Sequence, residues 1–276
     1  MIRRIIHKVR ETFFFEQTYP IHWKGNFPDW ASAMQHARGY DDAAILERIK
    51  QSALAVKEGK ALFERDGKLF YEPFYDYPLL SFLLKAALEN NSKLRVLDFG
   101  GSLGSTWFQH RALLQGLDVQ WYVVEQPHYV ALGQELFHGD KVLQFYYQAA
   151  DIPDKEALFV LASGVLYYIE IYHEFIRQLQ ALQPQYFFVH RTPFHEGAEH
   201  LITLQCVQSE ENFEGTFPSW IFSREQFLAQ FTPDYQLLAE GKSIDNIAAR
   251  VEGLPRRFHN FCWFCFRKNA PQRILQ

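Results

Sequence analysis

The chain has 276 residues, 48% hydrophobic and 17% aromatic, enough for one large α/β domain, or for a domain of about 180 residues behind an N-terminal appendage. Its net charge of −4 and isoelectric point of about 6.3 lack the basic footprint that a nucleic-acid binder needs. Three cysteines, Cys206, Cys262 and Cys265, form no disulfide framework and suit a reducing cytoplasm, and no apolar run reaches the ~18 residues of a membrane span.

In residues 1–10, Ile2, Ile5, Ile6 and Val9 fall at helical spacing, with Arg3, Arg4, Lys8 and Arg10 among the remaining positions. This reads as a short terminal helix, either docked on the domain or lying on an anionic membrane surface, and it lacks the features of a secretory signal. Residues 19–30, with Tyr19, Pro20, Trp23, Gly25, Phe27, Pro28 and Trp30, read as an irregular segment packed by its rings. Asp29 is placed to cap a short helix reaching Ala37, and Asp41 or Asp42 to cap a longer one whose apolar stripe, Ile45, Ile49, Ala53 and Val56, ends at Gly59. The turn Asp66-Gly67 inside 61–75 suggests a hairpin or an extended arm. Asp76 followed by Pro78 starts a helix carried by Leu79, Leu80, Leu83, Leu84, Ala87 and Leu88.

From residue 94 strands and helices alternate. Strands are expected over 94–97, 119–124, 142–147, 158–162 and 186–189, with helices over 105–116, 127–137 and 169–182 between them. Continuous apolar strands in this order predict a mostly parallel sheet covered by helices on both faces. Residues 190–220 read as loop-rich with one extra strand over 201–207. Ser223 caps a helix over 224–231, and strands follow over 236–239 and 261–266. On the last of these, Cys262 and Cys265 point to opposite faces, which argues against a metal or redox pair.

The stretch from Val96 to Gly104 is the chemical centre of the sequence. A strand ends at Asp98 and passes into Gly100, Gly101 and Gly104, with Ser102 between, so the turn reads as a cradle for a nucleotide-like cofactor. The next strand ends at Glu125, where a carboxylate is able to accept both hydroxyls of a ribose. Counted from Gly100, Ser102 occupies the second glycine of the dinucleotide fingerprint, and Asp98 would face a diphosphate with like charge. A cationic sulfonium cofactor has the opposite preference.

Asp98-x-Gly100, Gly104 and Glu125 resemble motifs I and II of class I S-adenosylmethionine-dependent methyltransferases. More narrowly, residues 97–104, 163–169, 191–194 and 220–223 resemble a family of methyltransferases from bacterial surface-polysaccharide gene clusters. The resemblance, which runs from about Tyr40 onward, implies a Rossmann-like fold with a seven-stranded, mostly parallel sheet; we place that domain over 77–276, behind an N-terminal helical appendage over 1–76. It implies S-adenosylmethionine as cofactor, with Gly100, Gly101 and Gly104 against its amino-acid part, Glu125 on its ribose, and Ser163 and Gly164 beside the transferred methyl. Asp151 carries over as an adenine contact, although Ala149 and Ala150 stand where an acid is usual. The implied reaction is methylation of a saccharide or sugar-nucleotide hydroxyl, in the cytoplasm or at the inner membrane face.

Removing the hydroxyl proton directs attention to His190 or His195 as general base and to Arg191 for orienting an anionic acceptor; the alternative is that all three are ordinary loop residues. His190, His195 and His200 recur every five residues, a spacing that fits neither helix nor strand and gives no support to a zinc site. Tyr167, Tyr168 and Trp107 are candidates for an acceptor pocket or for core, and Tyr71, Phe74 and Tyr75 for a lid. The rival functions are a catalytically silent assembly subunit of the same fold, a membrane-docked scaffold and a nicotinamide-dependent oxidoreductase.

Overall fold

The computed structural model describes residues 21–37, 42–207, 215–244, 249–252, 257–258 and 261–270. The basic stretch 1–10 and the alternative cap at Asp41 lie outside them. In chain order the elements begin with β1 (Ile21–Phe27), α1 (Trp30–Met34), α2 (Asp42–Lys57), β2 (Phe63–Arg65), β3 (Lys68–Phe70), α3 (Tyr77–Glu89), β4 (Lys93–Phe99), α4 (Ser105–His110) and β5 (Asp118–Val124). They continue with α5 (Pro127–Leu136), β6 (Leu143–Tyr146), β7 (Phe159–Ser163), α6 (Tyr172–Ala181), β8 (Tyr186–His195), β9 (Leu201–Val207), β10 (Gly215–Ser223) and α7 (Arg224–Ala229). The chain then forms β11 (Tyr235–Lys242), β12 (Ala249–Glu252), β13 (Arg257–Phe258) and β14 (Phe261–Lys268).

Seven strands lie in the order β6-β5-β4-β7-β8-β14-β11. The first five are parallel, β14 is antiparallel to both its neighbours, and the expected α/β architecture is therefore present. Alternate residues feed two cores. Val96, Trp121, Val123, Phe159, Leu161 and Phe188 pack towards α2 to α5, while Leu97, Tyr122, Val160, Ala162, Phe187 and Val189 pack towards α6 and α7. Cys265 belongs to the first core and Cys262 borders the second, on opposite faces as the spacing predicts. In α3, Asp76 caps the first turn through Leu79 N–H, and Leu79, Leu80 and Leu83 are buried, each contributing roughly 1.5–3 kcal/mol of apolar burial.

Three expectations are corrected. Residues 21–27 are not irregular: they form a strand paired antiparallel with β9 and parallel with β12, because Trp23 is fully buried, its indole N–H 3.4 Å from Ser219 Oγ and its ring against Phe261. The described residues of the stretch 190–220 are largely strand, since β8 runs on to His195, β9 occupies Leu201–Val207 and β10 occupies Gly215–Ser223. The helix expected over 105–116 stops at His110 and passes through a 3-10 turn, Arg111–Leu113, before Gly116 at φ +87°.

Strand order reverses between β4 and β7. The chain moves from β4 to β5 and β6 on one side, and from β7 to β8 on the other. Strand ends diverge at such a switch point and leave a crevice at their carboxyl edge, which is where open α/β sheets bind ligands. No described helix is long and apolar enough to cross a membrane.

Candidate functional site

A cleft at this switch point is lined by Asp98, Gly100, Gly101 and Ser102 from the end of β4 and the turn after it, and by Ser163 and Gly164 from the end of β7. His190 and Arg191 of β8, Asp76 and Leu79 of α3 and its cap, Ser105, Thr106, Gln109 and His110 of α4, and Arg65 and Asp66 of the β2–β3 hairpin also line it. The glycine turn is sterically forced. Gly100 and Gly104 have φ +72° and +88°, and a Cβ on them would meet Val165 at 2.5 Å and Leu143 at 2.9 Å. A Cβ on Gly101 would lie 2.6 Å from the Asp98 carboxyl carbon, so the glycine is what lets the backbone pass over that side chain. Ser102 also takes a left-handed φ of +53°.

Asp98 is 1% exposed. Trp121 Nε1 donates to its Oδ2 at 3.0 Å, while its Oδ1, equally buried, has no hydrogen-bond partner. Burial pushes this carboxyl up to about 7, against the opposing Trp121 hydrogen bond and with the Glu125 charge adding to the rise. Glu125 stands one residue beyond the end of β5, its Oε2 accepting from Gln126 N–H at 2.5 Å; burial raises it too, opposed by the N–H groups of Gln126 and Ser102. The two carboxyl groups thus stand at the carboxyl ends of the neighbouring strands β4 and β5, with Asp98 beneath Gly101.

Ser163 and His190 are register partners on adjacent parallel strands. Ser163 Oγ lies 3.1 Å from His190 Nδ1, and His190 Nε2 lies 2.9 Å from Asp76 Oδ2. The latter is an ion-pair distance without the alignment of a direct N–H bond, so Oδ2 keeps acceptor capacity inside the cleft. Asp76 Oδ1 accepts from Leu79 N–H, and Asp76 N–H donates to His110 Nε2 at 3.1 Å. With His110 Nδ1 2.9 Å from Thr106 carbonyl oxygen, that ring is a neutral Nδ1–H tautomer; burial also lowers its pKa. Burial tends to raise Asp76, yet the His190 contact and the Leu79 N–H outweigh it and hold the carboxyl below the usual range.

Between Val189 and Thr192, β8 places two residues opposite the single Trp263 of β14, and Arg191 in this bulge has φ +50°. Because the bulge flips the strand's alternation, Val189 and Phe194 both reach the α6–α7 core, and Arg191 is re-aimed into the cleft. Its guanidinium lies 3.4 Å from Asp66 Oδ2 at the hairpin tip. The hairpin is held from below by Arg65 on Gln109 at 2.8 Å and by buried Glu64, which accepts from Ser105 Oγ and from Gly67 N–H.

Other expected site residues lie elsewhere. His195 sits at the end of β8 opposite Ser223, accepts from Gly197 N–H and does not line the cleft, and His200 is bonded to Tyr172 and Ser223. Trp107 packs on Trp121 beneath the glycine turn, Tyr167 is buried against Tyr168 and Phe261, and Asp151 is exposed in the 3-10 turn after β6. Tyr168 is 40% exposed. Among the described residues no cluster of His, Cys, Asp and Glu is arranged to hold a metal ion. Asp76, which the sequence presents only as a helix cap, is the main addition, together with His110, Arg65 and Asp66. An aspartate before Tyr77-Pro78 signals a helix start, and no local pattern marks its second carboxylate oxygen as facing a histidine 114 residues later.

No family model matches the chain, and no curated protein matches it. Solved structures similar to it include an S-adenosylmethionine-dependent methyltransferase from Clostridium acetobutylicum, 10% identical over 80% of this chain and 98% of that one, with a TM-score of 0.46. A 1,6-didemethyltoxoflavin-N1-methyltransferase from Burkholderia thailandensis is 13% identical over 83% and 90% of the two chains (TM-score 0.44). An amino pentose methyltransferase from Micromonospora echinaspora is 11% identical over 69% and 90% (TM-score 0.43). At this level of similarity the roles of the residues rest on the geometry of this chain alone.

Proposed function

We propose that the cleft binds S-adenosylmethionine and that the chain is a methyltransferase. The observation that carries this reading is Asp98, a buried carboxylate with one unpartnered oxygen under a turn stripped of side chains. An ammonium or sulfonium group relieves such a site; a diphosphate aggravates it, and the six-residue α4 has little dipole to compensate. Gly100, Gly101, Ser102 and Gly104 would give the cofactor's amino-acid part close approach to backbone, Glu125 would hold its ribose and Asp151 would approach its adenine. When bound, the cofactor supplies a methyl group on a positively charged sulfur.

The residues do the rest by alignment, exclusion of water and proton removal. Ser163 and Gly164 flank the methyl, His190 is the proton sink, and Arg191 orients an anionic acceptor, with Arg65 on the opposite wall. A sugar nucleotide fits both the arginines and the sequence resemblance, so O-methylation of a saccharide in surface-polysaccharide biosynthesis, in the cytoplasm, is the specific form of the proposal. Tyr168, with Tyr167 behind it, would border the sugar. In this reading the segment 1–76 gives β1 to the main sheet and its β2–β3 hairpin to the cover of the cleft, and residues 1–10 would touch the inner membrane face.

Mass spectrometry of the purified protein for co-purified cofactor, followed by incubation with labelled cofactor and a panel of sugar nucleotides, tests the proposal. Methyl transfer to a sugar nucleotide supports it in full. Cofactor binding without transfer to any acceptor favours the silent assembly subunit, and loss of liposome sedimentation on deletion of residues 1–10 supports membrane contact.

A further inference from the structure

His190 is 3% exposed and both ring nitrogens face groups inside the protein, Nδ1 the Ser163 Oγ at 3.1 Å and Nε2 the Ser243 Oγ at 3.5 Å, with Asp76 Oδ2 at an ion-pair distance of 2.9 Å from Nε2 though not in line for an N–H bond. An acceptor in the cleft therefore meets neither nitrogen. It meets Ser163, which is half-buried at the carboxyl end of β7 and is the cleft-facing neighbour of Nδ1. The far end of the chain is equally defined. Asp76 is fixed by the first turn of α3 through Oδ1 and by His110 through its N–H, and His110 is neutral, so the carboxylate directs its charge to His190.

We propose that Asp76, His190 and Ser163 form a proton relay in which the Ser163 hydroxyl, and not the imidazole, is the group that takes the acceptor's proton. The proposal rests on reading the cleft as a methyl-transfer site. As the acceptor oxygen bonds to the methyl carbon, the carbon–sulfur bond breaks with its electron pair left on sulfur. The acceptor's proton passes to Ser163 Oγ while the serine's own proton passes to His190 Nδ1, giving an imidazolium that faces Asp76. Ser163 is then a catalytic residue; Asp76 is a positioning residue that acts through the ring.

The groups around the ring are the Asp76 carboxylate from the cap of α3, His110 from α4, Arg191 beside it on β8, Asp98 along the cleft wall and the hydroxyls of Ser163 and Ser243. Nitrogen-15 NMR of the histidines reads the relay without an acceptor. The expected spectrum at neutral pH has His190 Nε2 protonated and Nδ1 bare, and Asp76→Asn shifts the Nε2 resonance, since an amide then replaces the carboxylate 2.9 Å from it. Asparagine caps a helix as well as aspartate does, so the α3 amide signals stay in place. An Nε2 resonance unchanged in Asp76→Asn, or a wild-type ring protonated on Nδ1 alone, overturns the relay.

Phenylmethanesulfonyl fluoride tests the outer end. Ser163 Oγ attacks sulfur, fluoride leaves and the serine proton goes to His190. Mass spectrometry is expected to find the adduct on Ser163, absent in Ser163→Ala and formed at least tenfold more slowly in Asp76→Asn; equal rates in the wild type and Asp76→Asn overturn the proposal. Calorimetry with S-adenosylhomocysteine on the same wild-type sample separates the two readings. A protein with the expected NMR and labelling behaviour that does not bind it keeps the relay and loses methyl transfer.

Discussion

Asp98 occupies a place where a carboxylate is costly, and the cost makes a pH prediction. Its pKa rises from the ordinary carboxylate range to about 7 on folding, so the folded chain holds a proton there that the unfolded chain has released. Stability from this group is therefore full at low pH and lost as pH climbs from about 4 to about 7, by up to about 4 kcal/mol. Asp98→Asn removes the ionisation, and its melting temperature is expected to exceed that of the wild type at pH 8 by clearly more than at pH 5, where only the first part of the loss has occurred. A lower melting temperature at pH 8 contradicts the buried-charge account. Because the ammonium group of the cofactor's amino-acid part favours the ionised form, S-adenosylhomocysteine, which keeps that group, is also expected to bind the wild type more weakly at pH 5.5 than at pH 7.5. Arg191 is a second residue held in an unfavourable state, a left-handed φ inside a strand. Urea unfolding should find Arg191→Gly within about 1 kcal/mol of the wild type despite the lost Asp66 contact, and Arg191→Val clearly less stable, since a β-branched residue resists that φ. Equal losses in both variants would show that the bulge is not set by backbone conformation.

Among the elements, the β2–β3 hairpin is the one expected to respond to ligand. Asp66 and Gly67 take positive φ in its turn, Phe63 stacks on Phe70 at 4.4 Å, and its tip reaches Arg191 across the cleft. Hydrogen exchange of amides 63–70 is expected to slow at least threefold when S-adenosylhomocysteine is bound. Unchanged exchange removes the hairpin from the site. This hairpin, α3 and the strand–turn–helix at Asp98 were legible in the sequence because each is specified locally, by Asp66-Gly67, by Asp76 with Pro78, and by glycines at positions without room for a Cβ. β1 and the extension of β8 were not. Both owe their strand form to distant pairing, Trp23 to β9 and β12 and residues 190–195 to β10 and β14, and the bulge at Arg191 disrupts the very alternation by which a strand is read. The same limit hid Asp76, whose capping role is local and whose approach to His190 depends on how α3 packs beside β8.

On the scale of the whole molecule, the seven strands that frame the cleft continue through β8 into β10, β9, β1 and β12. The N-terminal strand is thus part of the main sheet, and Trp23→Ala is expected to cost about 3–5 kcal/mol in urea unfolding, as loss of a fully buried indole does. A cost below about 1 kcal/mol would mean that β1 is dispensable. The net charge of −4 leaves the two cleft arginines as local features, suited to one small anionic acceptor. Whether the carboxylates and the glycine turn form a cradle for a single-nucleoside, ammonium-bearing cofactor is read by calorimetric titration at pH 7.5 with S-adenosylhomocysteine and with NADH. Micromolar binding of S-adenosylhomocysteine is expected, weakened at least tenfold in both Asp98→Asn and Glu125→Ala, with no binding of NADH. Binding of NADH alone, or S-adenosylhomocysteine affinity unchanged in both variants, would contradict it.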